Sequence, residues 1–186
     1  MVKILTVLLL SCAISLTAAV TINLQEVGSD VLVEASGTLD TSGLNLAFGN
    51  TGGAAWNVYP QSGAFRAGAP GNLDLYDGIT SPGGSFGSGS FTTATTRTGD
   101  SIYVSTGYIG LPLNYTSGAT LTASNVFTDA SFSSLGLTAG TYTWSWSSDS
   151  ITLNISAVPE PSTYALIAGG LILSFAVWRR RRTHTA

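Results

Sequence analysis

Groups able to do acid–base, nucleophilic or metal chemistry are scarce in this chain and poorly placed for it. The one histidine, His184, stands at the extreme C-terminal end, and the one cysteine, Cys12, lies inside an apolar N-terminal run. Between residues 20 and 157 there is no histidine, cysteine or lysine. A Ser-His-Asp triad, a Cys-His pair and a histidine or cysteine zinc site are therefore all out of reach of that stretch. What remains is a carboxylate pair of glycosidase type, for which Glu26, Glu34 and seven aspartates are available in number. None of them stands in a motif, so no catalytic residue, no metal site and no cofactor is assigned, and the expectation is a protein that is not an enzyme.

Two other clusters invite a reading. Tyr142, Trp144 and Trp146 alternate with Thr141, Thr143 and Ser145, so the three rings share one face of a strand. That face is either core, since aromatics bury large areas and a chain without a usable cysteine needs them, or a stacking platform for sugar rings aided by Trp56. Asp74-Leu75-Tyr76-Asp77-Gly78 offers oxygen ligands but lacks the spacing of a calcium loop, and turn acids beside Gly78 account for it. The sequons Asn114-Tyr115-Thr116 and Asn154-Ile155-Ser156 are read as chance.

Charge is distributed unevenly. Of seven basic residues, Lys3 and Arg179, Arg180, Arg181 and Arg182 sit at the ends. Residues 20–157 keep only Arg66 and Arg97 against nine acids, a net of −7. A surface of that sign repels phosphate backbones, which argues against a nucleic-acid partner.

Both ends read as addresses. Lys3, the apolar run Ile4 to Leu10 and small residues through Thr17, Ala18 and Ala19 have the three-part layout of a secretory signal peptide over residues 1–19, cut between Ala19 and Val20 by signal peptidase. A lipoprotein box at Leu9-Leu10-Ser11-Cys12 competes, but Leu10 is bulky where a small residue is usual, and the stretch after Cys12 is apolar rather than a polar tether. Near the other end, Tyr164 to Trp178 is broken only by Ser174 and Gly169-Gly170. A helix of that length rises about 22 Å, short of the roughly 30 Å hydrocarbon core. Starting near residue 162 and snorkelling Arg179 narrows the gap, which gives one marginal span over about 162–178. The arginines at 179–182 then act as a stop-transfer signal, leaving the domain outside and the last residues inside.

Directly before the span stands Val158-Pro159-Glu160-Pro161. Two prolines remove two backbone donors and fix φ, leaving an extended strip at the membrane face. Pro-Glu-Pro, apolar helix with small residues, arginine cluster and chain end, in that order over residues 157 to 182, resemble the PEP-CTERM sorting signal of bacterial surface proteins. The resemblance implies an exosortase-type transpeptidase as partner, transient insertion in the inner membrane, then delivery to the cell surface or extracellular matrix, with exopolysaccharide as a further partner. An ordinary proline stop before a permanent anchor is the plainer alternative. Ser134 to Trp146 and Gly37 to Leu44 are also similar to one group of PEP-CTERM ectodomains, which implies a shared fold and no transferable activity.

The middle, residues 20–157, is rich in Gly, Ser and Thr, with apolar residues recurring at period two in short runs. The pattern predicts strands at 21–25, 31–39, 54–59, 73–76, 91–95, 101–105, 120–127, 141–147 and 151–156, with a mobile loop over Ser81 to Ser90. Nine strands in one exported domain predict an all-β fold, a single β-sandwich of jelly-roll type. A structural or adhesive surface component is the first functional reading. A carbohydrate-binding module using Tyr142, Trp144 and Trp146 is the second.

Overall fold

The computed structural model describes residues 19–53, 55–156, 169–171 and 173–175. The signal-peptide run, Val158 to Pro161, most of the 162–178 segment and Arg179 to Arg182 lie outside the described residues. Among the described residues, twelve strands form two six-stranded sheets. They are β1 Val20–Val27, β2 Asp30–Thr38, β3 Asn45–Thr51, β4 Val58–Tyr59, β5 Ala64–Ala67, β6 Leu73–Asp77, β7 Thr96–Gly99, β8 Ile102–Val104, β9 Ile109–Pro112, β10 Thr120–Phe127, β11 Gly140–Ser145 and β12 Ser150–Ile155. The first sheet has the order β11-β12-β1-β2-β10-β7 and the second β3-β6-β9-β8-β5-β4. A four-residue helix, α1 Phe132–Leu135, links β10 to β11.

The all-β expectation holds, and the alternation that suggested it is what builds the first sheet. Along β1 as far as Leu24, and along all of β10 and β12, every second residue is buried. In-register pairing carries Ile22 beside Leu153 and Ala35, and Leu24 beside Ile155 and Val33, so the apolar residues of neighbouring strands stack into one face. That face meets Val58, Phe65, Ile102, Val104, Ile109 and Leu111 of the second sheet in a single apolar cluster. Two buried asparagines tie the layers together. Asn125 on β10 accepts from Gly68 N at 2.7 Å beyond the end of β5, and Asn57 donates to Arg66 O at 3.1 Å while accepting from Ala94 N at 3.0 Å.

One pairing departs from a jelly roll, whose ladders are antiparallel. β1 runs parallel to β12, from Val20 beside Ile151 to Leu24 beside Ile155, so the first sheet is mixed. Three strands had no period-two signal. β3 is an exposed edge with two register shifts against β6, β5 is four consecutive buried residues, and β9 includes Gly110 and ends on Pro112. The expected strand at 91–95 is displaced. Thr92 makes only an isolated bridge to Val58, and the ladder begins at Thr96.

The Ser81 to Ser90 segment is a loop, but it is pinned. Phe86 is buried, and its carbonyl accepts from Thr138 N at 2.8 Å. Ser88 N and Gly89 N both donate to Gly136 O, at 2.9 and 3.2 Å. Gly87, at φ +153°, and Gly89 lie so close to Gly136 and Leu135 that a Cβ on either would run into their carbonyl oxygens. The composition that looked flexible is what this close approach requires.

Trp144 fills the first sheet's inner face at 1 % exposure and donates Nε1–H to Ser105 O at 2.7 Å, bridging to the end of β8. Tyr115 performs a similar task at the other corner, accepting from Leu39 N at 3.0 Å and donating to Ala119 O at 2.6 Å. Burial raises the Tyr115 phenol above its ordinary value, while hydrogen bonds from Ser42, side chain first, lower the carboxyl of the exposed Asp40.

Trp144→Ala is expected to cost about 3–5 kcal/mol in denaturant unfolding, the range for truncating a buried large aromatic. Tyr115→Phe leaves Leu39 N–H without its acceptor and should cost about 1–3 kcal/mol. The two titrations bound a stability plateau. Stability should fall as pH rises past the phenol's unfolded value through its higher folded one. It should fall again as pH drops below the ordinary carboxylate value towards the lower folded one of Asp40. Thermal melts of wild type and Tyr115→Phe across pH check both limbs, and the alkaline one should be shallower in the variant.

Candidate functional site

The residues singled out for a ligand face do not stay together. Trp144 and Trp146 are 1 % and 9 % exposed, and Trp146 donates its indole N–H to Asp40 O at 2.8 Å. Tyr142 is half-buried against Phe86, with ring centroids 5.6 Å apart, and its hydroxyl donates to Thr138 O at 3.1 Å. The two tryptophans so enclosed have no free face for a sugar, and without them the Tyr142, Trp144 and Trp146 alternation reads as core rather than as a platform. The physical reason is the sheet order: β11 lies beside β12, whose apolar residues face the second sheet, and in-register pairing turns Trp144 to the same side as Ile151.

Several of the acidic candidates are committed to the fold. Asp74 accepts from Asn50 N at 3.0 Å through Oδ1 and from Asn114 N at 2.9 Å through Oδ2, holding two turns whose asparagines sit at φ +52° and +56°. Asp77 accepts from Asn45 Nδ2 at 3.1 Å, and Asp149 accepts from Asp40 N at 2.7 Å. Glu26 accepts from Phe132 N, where α1 begins, at 2.5 Å. Among the described residues, no group of three or more His, Cys, Asp or Glu is arranged to hold a metal ion. Asn154 bonds Asn23 Oδ1 at 3.1 Å within the sheet.

The two outer faces differ in chemistry. On the first sheet, pairing aligns Thr143, Thr152, Thr21, Ser36 and Thr122 in one row, and Thr141, Asn154, Asn23, Glu34, Ser124 and Thr98 in the next. Such a row of hydroxyls and amides suits water. On the second sheet, the corresponding row runs Phe48, Leu75, Gly110, Tyr103, Arg66. A Cβ at Gly110 would lie 2.9–3.0 Å from atoms of Leu75, Leu73 and Tyr103, so those side chains lean over the glycine.

Trp56 comes to this second face. Its ring lies 5.8 Å from Tyr59 and 6.1 Å from Tyr103, and Tyr59 in turn lies 6.1 Å from Phe91, which is 64 % exposed. Thr51, Gly52, Gly53, Trp56, Arg66, Leu73, Leu75 and Tyr103 enclose a cleft of about 200 Å³. Arg66 is 1 % exposed and forms part of its wall, donating Nε–H to Ser101 Oγ at 2.8 Å and an Nη2–H to Gly71 O at 2.6 Å. A Cβ on Gly53 would run into the guanidinium, so the loop over Arg66 depends on a residue without a side chain there. Arg97 reaches the same loop and donates to Ala55 O at 2.9 Å. Burial, and then the nearby positive charge of Arg97, lower the Arg66 pKa from its ordinary value. Of this group only Trp56 was singled out in the sequence. Tyr59, Tyr103 and Phe91 come to it through strand register and loop packing, which no local period displays.

In sequence, the sorting segment follows directly on the last described strand of the domain. β12 ends at Ile155, and Ser156 N donates to Leu24 O at 3.1 Å. Only Ala157 and Val158 then separate the ladder from Pro159, a reach of about 10 Å at full extension. Residues 169–171 and 173–175 are helical, with Leu171, Leu173 and Phe175 exposed, and Ser174 returns its hydroxyl proton to Gly170 O at 2.8 Å. Among the described residues, no helix is long and apolar enough to cross a membrane.

No curated protein and no solved structure matches the chain. Residues 157–182 match the family described as the PEP-CTERM protein-sorting motif, the stretch that carried the resemblance, and no part of the β-domain falls within the match. The chain is thus a protein carrying a PEP-CTERM sorting domain, the mark of a surface protein sorted by exosortase.

Proposed function

We propose that this protein is exported behind the 1–19 signal peptide, is held for a time by the 162–178 segment, and is processed by an exosortase-type transpeptidase at Val158 to Pro161. It then serves as a non-catalytic structural or adhesive component of the cell surface or extracellular matrix. The observation that carries the reading is the match over residues 157–182.

Three features support it. Pro159-Glu160-Pro161 follows three residues after Ser156, whose N–H donates to Leu24 O, and two prolines cannot donate to a ladder. Leu171, Leu173 and Phe175 turn apolar surface outward, and the hydroxyl of Ser174 is satisfied within its own helix turn. In lipid that combination costs little, because the one polar side chain among them spends its proton locally. The domain between residues 20 and 157 also lacks histidine, cysteine and lysine, and the acids described above hold loops in place. A sugar-binding role for Tyr142, Trp144 and Trp146 is set aside, because the two indole rings are buried.

Mass spectrometry of the protein recovered from surface fractions tests the reading. The mature form is expected to begin at Val20 and to lack Arg179 to Ala186. Replacing Pro159-Glu160-Pro161 by three alanines should leave the tail intact and the protein in the inner-membrane fraction. An intact Arg179 to Ala186 tail on wild-type protein at the surface would instead mean a permanent anchor.

A further inference from the structure

We propose that β3 is a docking edge for a second copy of this chain, the two β3 strands pairing antiparallel so that the second sheets of two molecules continue into each other. The pairing uses none of the residues beyond Ser156 and does not depend on the sorting reading.

β3 closes one side of the second sheet, bonded to β6 and, among the described residues, to no strand beyond. An edge strand offers its spare N–H and C=O groups to any strand that can reach them, and folded domains blunt such edges with charge, proline, short length, bulges or a cover. The other three edges are blunted. β4 is two residues long, β7 is four and carries Arg97, and β11 is bridged at Ser145 by Thr80, with Trp144 turned into the core. β3 runs from Asn45 to Thr51 without a charge or a proline, and five of its seven residues are exposed. Its register shifts fall on the ladder with β6 and twist the strand without covering it.

The side chains favour a strand as the occupant. Leu46 is 58 % and Phe48 55 % exposed, and Phe48 meets the ring of Tyr108 edge to face at 5.8 Å. Leu46 is paired with Tyr76, which packs against the core, and Phe48 with Leu75 on the opposite face of the sheet. Apolar surface therefore flanks the free edge on both faces. A flat ligand would cover one of them, whereas an added strand covers both while it takes up the backbone groups.

Charge selects a second copy and its direction. Residues 20–157 carry a net charge of −7, so two copies can meet closely only where carboxylates do not face one another. The acids nearest to β3 on its neighbouring strand are Asp77, which accepts from Asn45 Nδ2, and Asp74, which accepts from Asn50 N and Asn114 N. Parallel pairing would set Asp77 beside its own counterpart. Antiparallel pairing sets it beside the uncharged Thr51-Gly52-Gly53 end of the other strand. A basic partner would be drawn instead to Glu34 in the outer rows of the first sheet, or to Glu26, Asp30 and Asp129 around the turn between β1 and β2. A neutral, apolar strand fits a neutral, apolar strand, and every copy of this chain supplies one.

Antiparallel pairing implies a two-fold axis crossing the strands, which reverses whatever runs along them. Thr80, just past β6, bridges antiparallel to Ser145 at the end of β11, so the strands of the two sheets are aligned on this side. β12 therefore points one way in one copy and the opposite way in the other. For a protein held at its C-terminal end, such a pair joins two facing surfaces, a consequence that rests on the sorting reading. An edge of seven residues is about 23 Å long, a small contact, so a single pair is weak and many copies act together.

Sedimentation of full-length protein in detergent tests the pairing. A reversible dimer is expected, with a Kd of roughly 10–100 μM, tightening as salt rises because screening relieves the repulsion between two acidic domains. Phe48→Lys and Leu46→Lys should each weaken it at least about tenfold. Val27→Lys, at a similarly exposed apolar position between β1 and β2, should dimerise like wild type, and thermal melts of each variant separate a lost contact from a lost fold. In a Cys12→Ser background, Asn45→Cys and Thr51→Cys proteins mixed and treated with a short bifunctional maleimide should cross-link mainly as the unlike pair. A monomer at concentrations up to about 0.5 mM, a dimer unchanged by both lysine variants, or a preference for like pairs would each overturn the proposal. None of these outcomes bears on the mass of the processed C-terminus, so failure here is distinguishable from failure of the sorting reading.

Discussion

The parallel pairing of β1 with β12 is the constraint on which the domain depends. The first and last strands lie side by side in the interior of one sheet, with β2 and β11 as their outer neighbours. Without β12, the strand β11 has no partner ladder, and Val20, Ile22 and Leu24 lose one flank of the apolar face. The sheet cannot close until residues 150–155 are present on the same side of the membrane as residue 20. Because those residues lie immediately before the sorting segment, the domain completes its fold only when nearly all of it has been translocated. Pairings of such long sequence separation also form late on entropic grounds.

With its one cysteine at position 12, the domain holds by apolar burial and by a few buried polar ties. Asn57, Asn125 and Arg66 each satisfy loop backbone that would otherwise be buried without a partner. Each is costly to bury unpaired, and each here fixes where a loop lies. Asn57 and Arg66 together set the loop that presents Trp56. Stability and the placement of that loop thus rest on the same residues.

What the sequence reveals depends on how far apart the cooperating residues are. Residues 157–182 form a linear signal, every part adjacent to the next, and were readable in full. Strands with a clean alternation were also readable: β10 appears over the expected residues, and β1, β2, β11 and β12 within a few positions. Alternation could not report β3, because Leu46 and Phe48 lie exposed on an edge with register shifts, nor β5, which is buried at all four residues. It showed that Tyr142, Trp144 and Trp146 share a face but not which side the face takes, since that follows from β11 lying beside β12. The Trp56 cleft was beyond local reading altogether. Trp56, Arg66, Leu75 and Tyr103 meet only through the register of β5, β8, β9 and β6.

The short distance between Ser156 and Pro159 also determines how the domain would bear load. A surface protein held at its C-terminal end and gripped elsewhere is pulled along β12, and β12 is bonded on one side to β1 and on the other to β11. Its ladder bonds run across the strand direction, so a lengthwise pull strains both ladders together rather than opening them one bond at a time. In mechanical terms, the last described strand of the domain is a strap riveted along both of its edges.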